Sequence, residues 1–95
     1  MVEDVEKFKQ EVVKIALQVH ERLRKYGVGV VVNFYPIDNP EYYHLYVELP
    51  RGSHLDEELF REFVNELEAI GFIYVPGADN WGVLGKIGQY PPLKL

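Results

Sequence analysis

Three histidines, a lone serine, eleven glutamates and a spaced series of glycines are the residues of this chain that could do chemistry. His20, His44 and His54 could each ligate a metal or move a proton. A metal site wants two ligands at helical or strand spacing with a third nearby, and no two histidines are spaced that way. Surface or turn positions are their plainer reading. Ser53, His54 and Asp56 contain the residue types of a nucleophilic triad, but neighbours along a chain cannot orient one another as a triad requires. The chain has no cysteine or threonine, so Ser53 is the only hydroxyl or thiol of that class. A structural task is expected for it: capping a helix, with Asp56 in the reciprocal position of a capping box.

The glutamates suggest paired-carboxylate acid–base chemistry. Most fall on outer helix faces, where solvated charge is the ordinary explanation. Gly82-x-x-Gly85-x-x-Gly88 has the outline of a phosphate loop, and Gly85-Lys86-Ile87-Gly88 matches the GxxG of a KH module. A phosphate loop must lead into a helix whose amides face the phosphate, and Pro91-Pro92 forbids one here. In a KH module the GxxG lies between two helices. A twisted or bulged edge strand is the reading these glycines favour. No metal or cofactor is expected.

The elements that must position these residues can be read from periodicity. Val5, Phe8, Val12, Ile15, Ala16, Val19, Leu23 and Tyr26 recur every three or four residues, which predicts a helix over 3–25. Glu3, Asp4 and Glu6 open it, Arg22, Arg24 and Lys25 close it, and Gly27 ends it. Residues 28–35 and 42–49 are β-branched and aromatic and predict two strands. The turn between them contains Pro36 and Pro40, so the pair is expected to form an antiparallel hairpin. A second helix is expected over 54–69, burying Leu55, Leu59, Phe60, Phe63, Leu67 and Ile70 and ended by Gly71. A short strand over 72–75 and a weaker one over 81–87 follow, and then an extended, proline-rich tail over 88–95.

Together these predict an α+β two-layer sandwich, with two helices on one face of a small, mainly antiparallel sheet of three to four strands. The order is α-β-β-α-β-β. Leu23-x-x-Tyr26-Gly27 and Leu67-x-x-Ile70-Gly71 end the two helices with the same spacing. Each is followed by a strand and a turn holding Asp-Asn, as two αββ units would give. The same order occurs in several unrelated folds, the core of LAGLIDADG homing endonucleases among them. That family needs an acidic residue at the end of its signature helix, and Lys25-Tyr26-Gly27-Val28 lacks one, so topology implies no function here.

Ninety-five residues point to one domain over 1–95, and 47% hydrophobic residues are ample for a core. The longest apolar run, over 28–32, is far short of a membrane span of about 20 residues. With an acidic opening and no cysteine, a cytoplasmic protein with no membrane attachment is expected. Abundant Glu and Lys beside few Gln and Met resemble thermophile usage. The net charge is −5, with six bases against eight acids in residues 1–50 and four against seven in 51–95. Neither half has the basic excess with which nucleic-acid binders displace counterions.

One surface stands out. By the period of two, Val28, Val30, Val32 and Phe34 share a face with Tyr43, Leu45, Val47 and Leu49. If helices cover that set, the opposite face carries Val31, Asn33, Tyr35, Tyr42, His44 and Tyr46, with Trp81 expected to join from the second turn. A plain solvated sheet would carry Lys, Glu and Thr instead. Aromatic residues with a polar handle suit an interface. The expected function is therefore an interaction or assembly module, self-associating as a dimer or binding another protein through this face or a strand edge. A cover of loop or tail within the monomer is the alternative fate of the face. The alternative function is single-strand nucleic-acid binding, with Tyr35, Tyr42, His44, Tyr46 and Trp81 stacking bases. An enzyme with a His–carboxylate site on His44 or His54 has least support.

Overall fold

The computed structural model describes residues 2–95, with side chains from Asp4 onward. The part expected of Glu3 at the helix dipole thus lies outside the described side chains. Helix α1 spans Val2–Arg22. Its buried stripe is Phe8, Val12, Ala16 and Val19, continued by Leu23 and Tyr26. The final expected turn is wound more tightly, as a 3-10 helix over Arg24–Tyr26, and Gly27 stops it at φ 68° with its amide donating to the Arg24 carbonyl.

Strands β1 (Gly29–Tyr35) and β2 (Tyr42–Glu48) form the expected hairpin. Their register pairs Val30 with Val47, Val32 with Leu45 and Phe34 with Tyr43 on one face. Val31 with Tyr46, Asn33 with His44 and Tyr35 with Tyr42 occupy the other.

Helix α2 begins later than the sequence predicts. It spans Glu57–Ile70, and its N-cap is Asp56, whose carboxylate accepts from the Leu59 amide at 2.7 Å. Ser53 instead belongs to a turn, its amide donating to the Pro50 carbonyl at 3.0 Å. Both residue types cap well, but a carboxylate adds a favourable charge at the dipole's positive end. Gly71, at φ 108°, ends the helix. Its amide reaches the Glu68 carbonyl and the Phe72 amide reaches that of Leu67, a Schellman closure.

Strands β3 (Ile73–Val75) and β4 (Asn80–Lys86) complete an antiparallel sheet of order β1-β2-β4-β3. Exchanging the two hairpins leaves this order unchanged, as two αββ units about a twofold between β2 and β4 would require. β4 is therefore central, and the expectation of an edge strand is corrected. Both helices pack on the face holding Leu45, Val47, Trp81 and Val83, with Phe63 and Leu67 wholly buried between the layers.

The tail runs over the helix layer. Tyr90 packs on Phe8, with ring centroids 5.0 Å apart, and Pro91 is buried. The Lys94 amide donates to the Ile70 carbonyl at 2.9 Å, so the tail also helps to close α2. Among the described residues no helix is long and apolar enough to cross a membrane.

Candidate functional site: the uncovered sheet face

Strand alternation fixes the composition of the face away from the helices. β1 gives it Val31, Asn33 and Tyr35, and β2 gives it Tyr42, His44, Tyr46 and Glu48. From β4 come Asn80, Gly82, Leu84 and Lys86, and from β3 come Ile73 and Val75. Asn33, Tyr35, Tyr42, His44 and Tyr46 are thus brought together as expected. The tail does not cover them, because it lies on the helix side.

Trp81 does not join them. It is 6% exposed on the opposite face, edge-on to Phe63 at 5.2 Å. The reason is its register partner, Val47, which points into the core. With Trp81 turned inward, the alternation places Leu84 outward, and Leu84 is 71% exposed. Ile73, opposite Gly82, is 68% exposed. Sequence reasoning missed both, although the period of two applied to 81–86 would have found Leu84.

The centre of the face is ordered by aromatic packing. His44 and Tyr46 stack with centroids 4.7 Å apart and planes 28° apart. They lie across β4 at Gly82, where a Cβ would meet His44 Nε2 at 2.8 Å and Tyr46 Cβ at 3.1 Å. Gly85 does the same on the helix face, under the ring of Tyr43. Gly82 and Gly85 are thus places where rings from β2 cross the neighbouring strand, whereas Gly88 has open space about it at φ 97° and no helix follows it. Partial burial disfavours the charged imidazole and lowers the His44 pKa below its ordinary 6.5.

The face is poor in charge, with Glu48 and Lys86 at its two ends. By continuing the β2–β4 register, Asn80 stands across from Glu48. Asn80 is 8% exposed, and its Oδ1 has no donor among the described residues.

His20 is exposed on α1 and His54 is exposed in the loop before α2, on elements separate from His44. Among the described residues no three His, Asp or Glu side chains gather as a metal site would need. Of the bases that could track a nucleic-acid backbone, Lys86 lies at one end of this face, and Arg22, Arg24 and Lys25 sit in or beside the helix layer. Arg22 pairs with Glu66, Arg24 with Glu21 and Lys25 with Glu62. No protein family matches the chain, and no curated protein or solved structure matches it either.

Proposed function

We propose that the protein is a self-associating module that dimerises by stacking this sheet face on that of a second copy. The observation that carries the reading is the pairing of highly exposed Leu84 and Ile73 with Tyr35 and Tyr42 on a face that none of the described residues covers. An antiparallel sheet open to water is ordinarily polar on that side. Apolar patches rimmed by polar groups mark interaction sites.

The two charged groups support a twofold. Glu48 and Lys86 lie near opposite ends of β2, whose six-residue rise covers about 20 Å. An axis in the interface, at right angles to the strands, sets Glu48 of one copy against Lys86 of the partner subunit, twice over. Single-strand binding has less support, because on this face Lys86 is the one base among the described residues.

A second mode is favoured by β1, whose outer edge pairs with no strand among the described residues. Its seven residues, GVVVNFY, contain neither charge nor proline, the usual devices against edge pairing.

Sedimentation equilibrium of the wild type and a Tyr35→Glu, Leu84→Glu variant tests the reading. A wild-type dimer and a folded monomeric variant are expected. A variant that stays dimeric removes the face and leaves edge pairing. A wild type that is monomeric throughout the micromolar range removes self-association.

A further inference from the structure

On the helix side, remote from the proposed interface, a cleft of about 650 Å³ opens between α2 and the β3–β4 hairpin. Trp81 forms its floor and Phe60 and Tyr74 form two walls. The ring of Phe60 stands 6.2 Å from that of Trp81 at 62°, and Tyr74 stands 5.3 Å from it at 55°. Leu49 and Val64 complete the apolar lining, and Glu68 and Asp79 supply carboxylates. No lysine, arginine or histidine is among the lining residues.

We propose that this cleft binds a methylated ammonium group. Inclined aromatic rings attract a cation through their quadrupoles, and a weakly hydrated quaternary ammonium gives up little solvation on entering. The carboxylates complement its charge and contribute additional attraction. The volume suits a small ligand or a single side chain.

Glu68, in the last turn of α2, is exposed beside the cleft it lines. An acid at that end of the helix dipole costs helix stability. Asp79 is held at φ 52°, a conformation uncommon outside glycine, and the Tyr74 hydroxyl donates to its Oδ1 at 2.9 Å. Among the described residues the other carboxylate oxygen has no hydrogen-bond partner. The cleft is independent of the sheet face, so its fate and that of the dimer are separate questions.

Trp81 is the only tryptophan, so its fluorescence reports the cleft directly. The probes are choline, a trimethyl-lysine peptide, and the neutral analogue of choline in which carbon replaces the ammonium nitrogen. Saturable quenching by a methylated ammonium is expected, with the neutral analogue bound about tenfold more weakly or worse. The Glu68→Gln, Asp79→Asn variant should lose about fivefold or more in affinity for the cation and none for the analogue. Asparagine tolerates the left-handed backbone at 79, and Glu68→Gln alone should slightly raise the melting temperature, so a fold defect does not imitate this result. Tighter binding of choline or of the peptide identifies a free metabolite or a modified protein as the source. Equal affinity for the neutral analogue, or no saturable change with either cation, overturns the proposal.

Discussion

His44 Nε2 occupies the space in which a side chain at position 82 would begin, 2.8 Å from where a Cβ on Gly82 would stand. The Leu45 carbonyl, at 3.1 Å, closes the same space from the backbone side. Gly82→Ala therefore has to push the His44–Tyr46 stack off β4 or part the two central strands. Overpacking of this kind costs about 1–3 kcal/mol. In a domain of this size that lowers the melting temperature by several degrees per kcal/mol, which thermal unfolding by circular dichroism measures. A variant as stable as the wild type would show that the stack moves freely.

Charge reversal tests the orientation of the proposed dimer. Glu48→Lys sets two ammonium groups together at each end of the interface, and Lys86→Glu sets two carboxylates there. Each single variant should weaken dimerisation by roughly 1 kcal/mol or more, and the double variant should recover most of the loss. Sedimentation of all three against the wild type separates this twofold from one that brings like ends together. If the double variant is weaker than both singles, the axis runs elsewhere.

The depressed His44 pKa gives stability a definite pH slope. Below 6.5 the unfolded chain binds a proton that the folded chain resists. The contribution of neutral His44 is thus complete above 6.5 and is lost as pH falls through the lower folded value. Stacking a second copy on the ring would depress the pKa further, so acidification should also promote dissociation. His44→Gln should flatten this part of the profile, seen by urea unfolding at a series of pH values.

At the alkaline end the strongest response belongs to Tyr26. Its ring is buried against Phe63, and its hydroxyl donates to Glu66 Oε2 at 2.7 Å with Glu62 Oε1 3.1 Å away. Burial and then these carboxylates push its pKa up to about 12. The stability it gives is complete below pH 10 and is lost as pH rises towards 12. Tyr26→Phe should cost about 0.5–1.5 kcal/mol at neutral pH and remove part of the alkaline loss. Phenolate absorbance of the variant, with one late-titrating tyrosine fewer, checks the assignment.

Much of this was legible from alternation alone. The hairpin face was readable because β1 and β2 keep a strict period of two, with bulky residues at every position from Val30 to Val47 except the turn. β4 was harder to place, since Gly82 and Gly85 erase that period. Their reason lies in another strand, in the rings of His44, Tyr46 and Tyr43. Trp81 was assigned to the wrong face for the same cause: an aromatic residue after a turn carries no sign of which way it points until its partner Val47 is known. The start of α2 was ambiguous because Ser53 and Asp56 both cap well, and position alone could not choose between them. The course of the tail was invisible, as Pro91 and Leu93 have no periodicity and are held by contacts with residues distant in sequence. The cleft lies between α2 and the β3–β4 hairpin, a tertiary juxtaposition that no local pattern records.

The order β1-β2-β4-β3 has one more consequence. The sheet joins the halves of the chain only where β2 meets β4, and the link from β2 to α2 runs through exposed residues 50–54. A nick between Arg51 and Gly52 would sever nothing but that link. Each piece would carry a helix and a hairpin with half a core, too little to hold shape alone. The tail of one piece rests on Phe8 of the other, so the two would clasp from both layers on meeting. The protein is thereby suited to use as a split reporter, whose signal depends on two fragments finding each other.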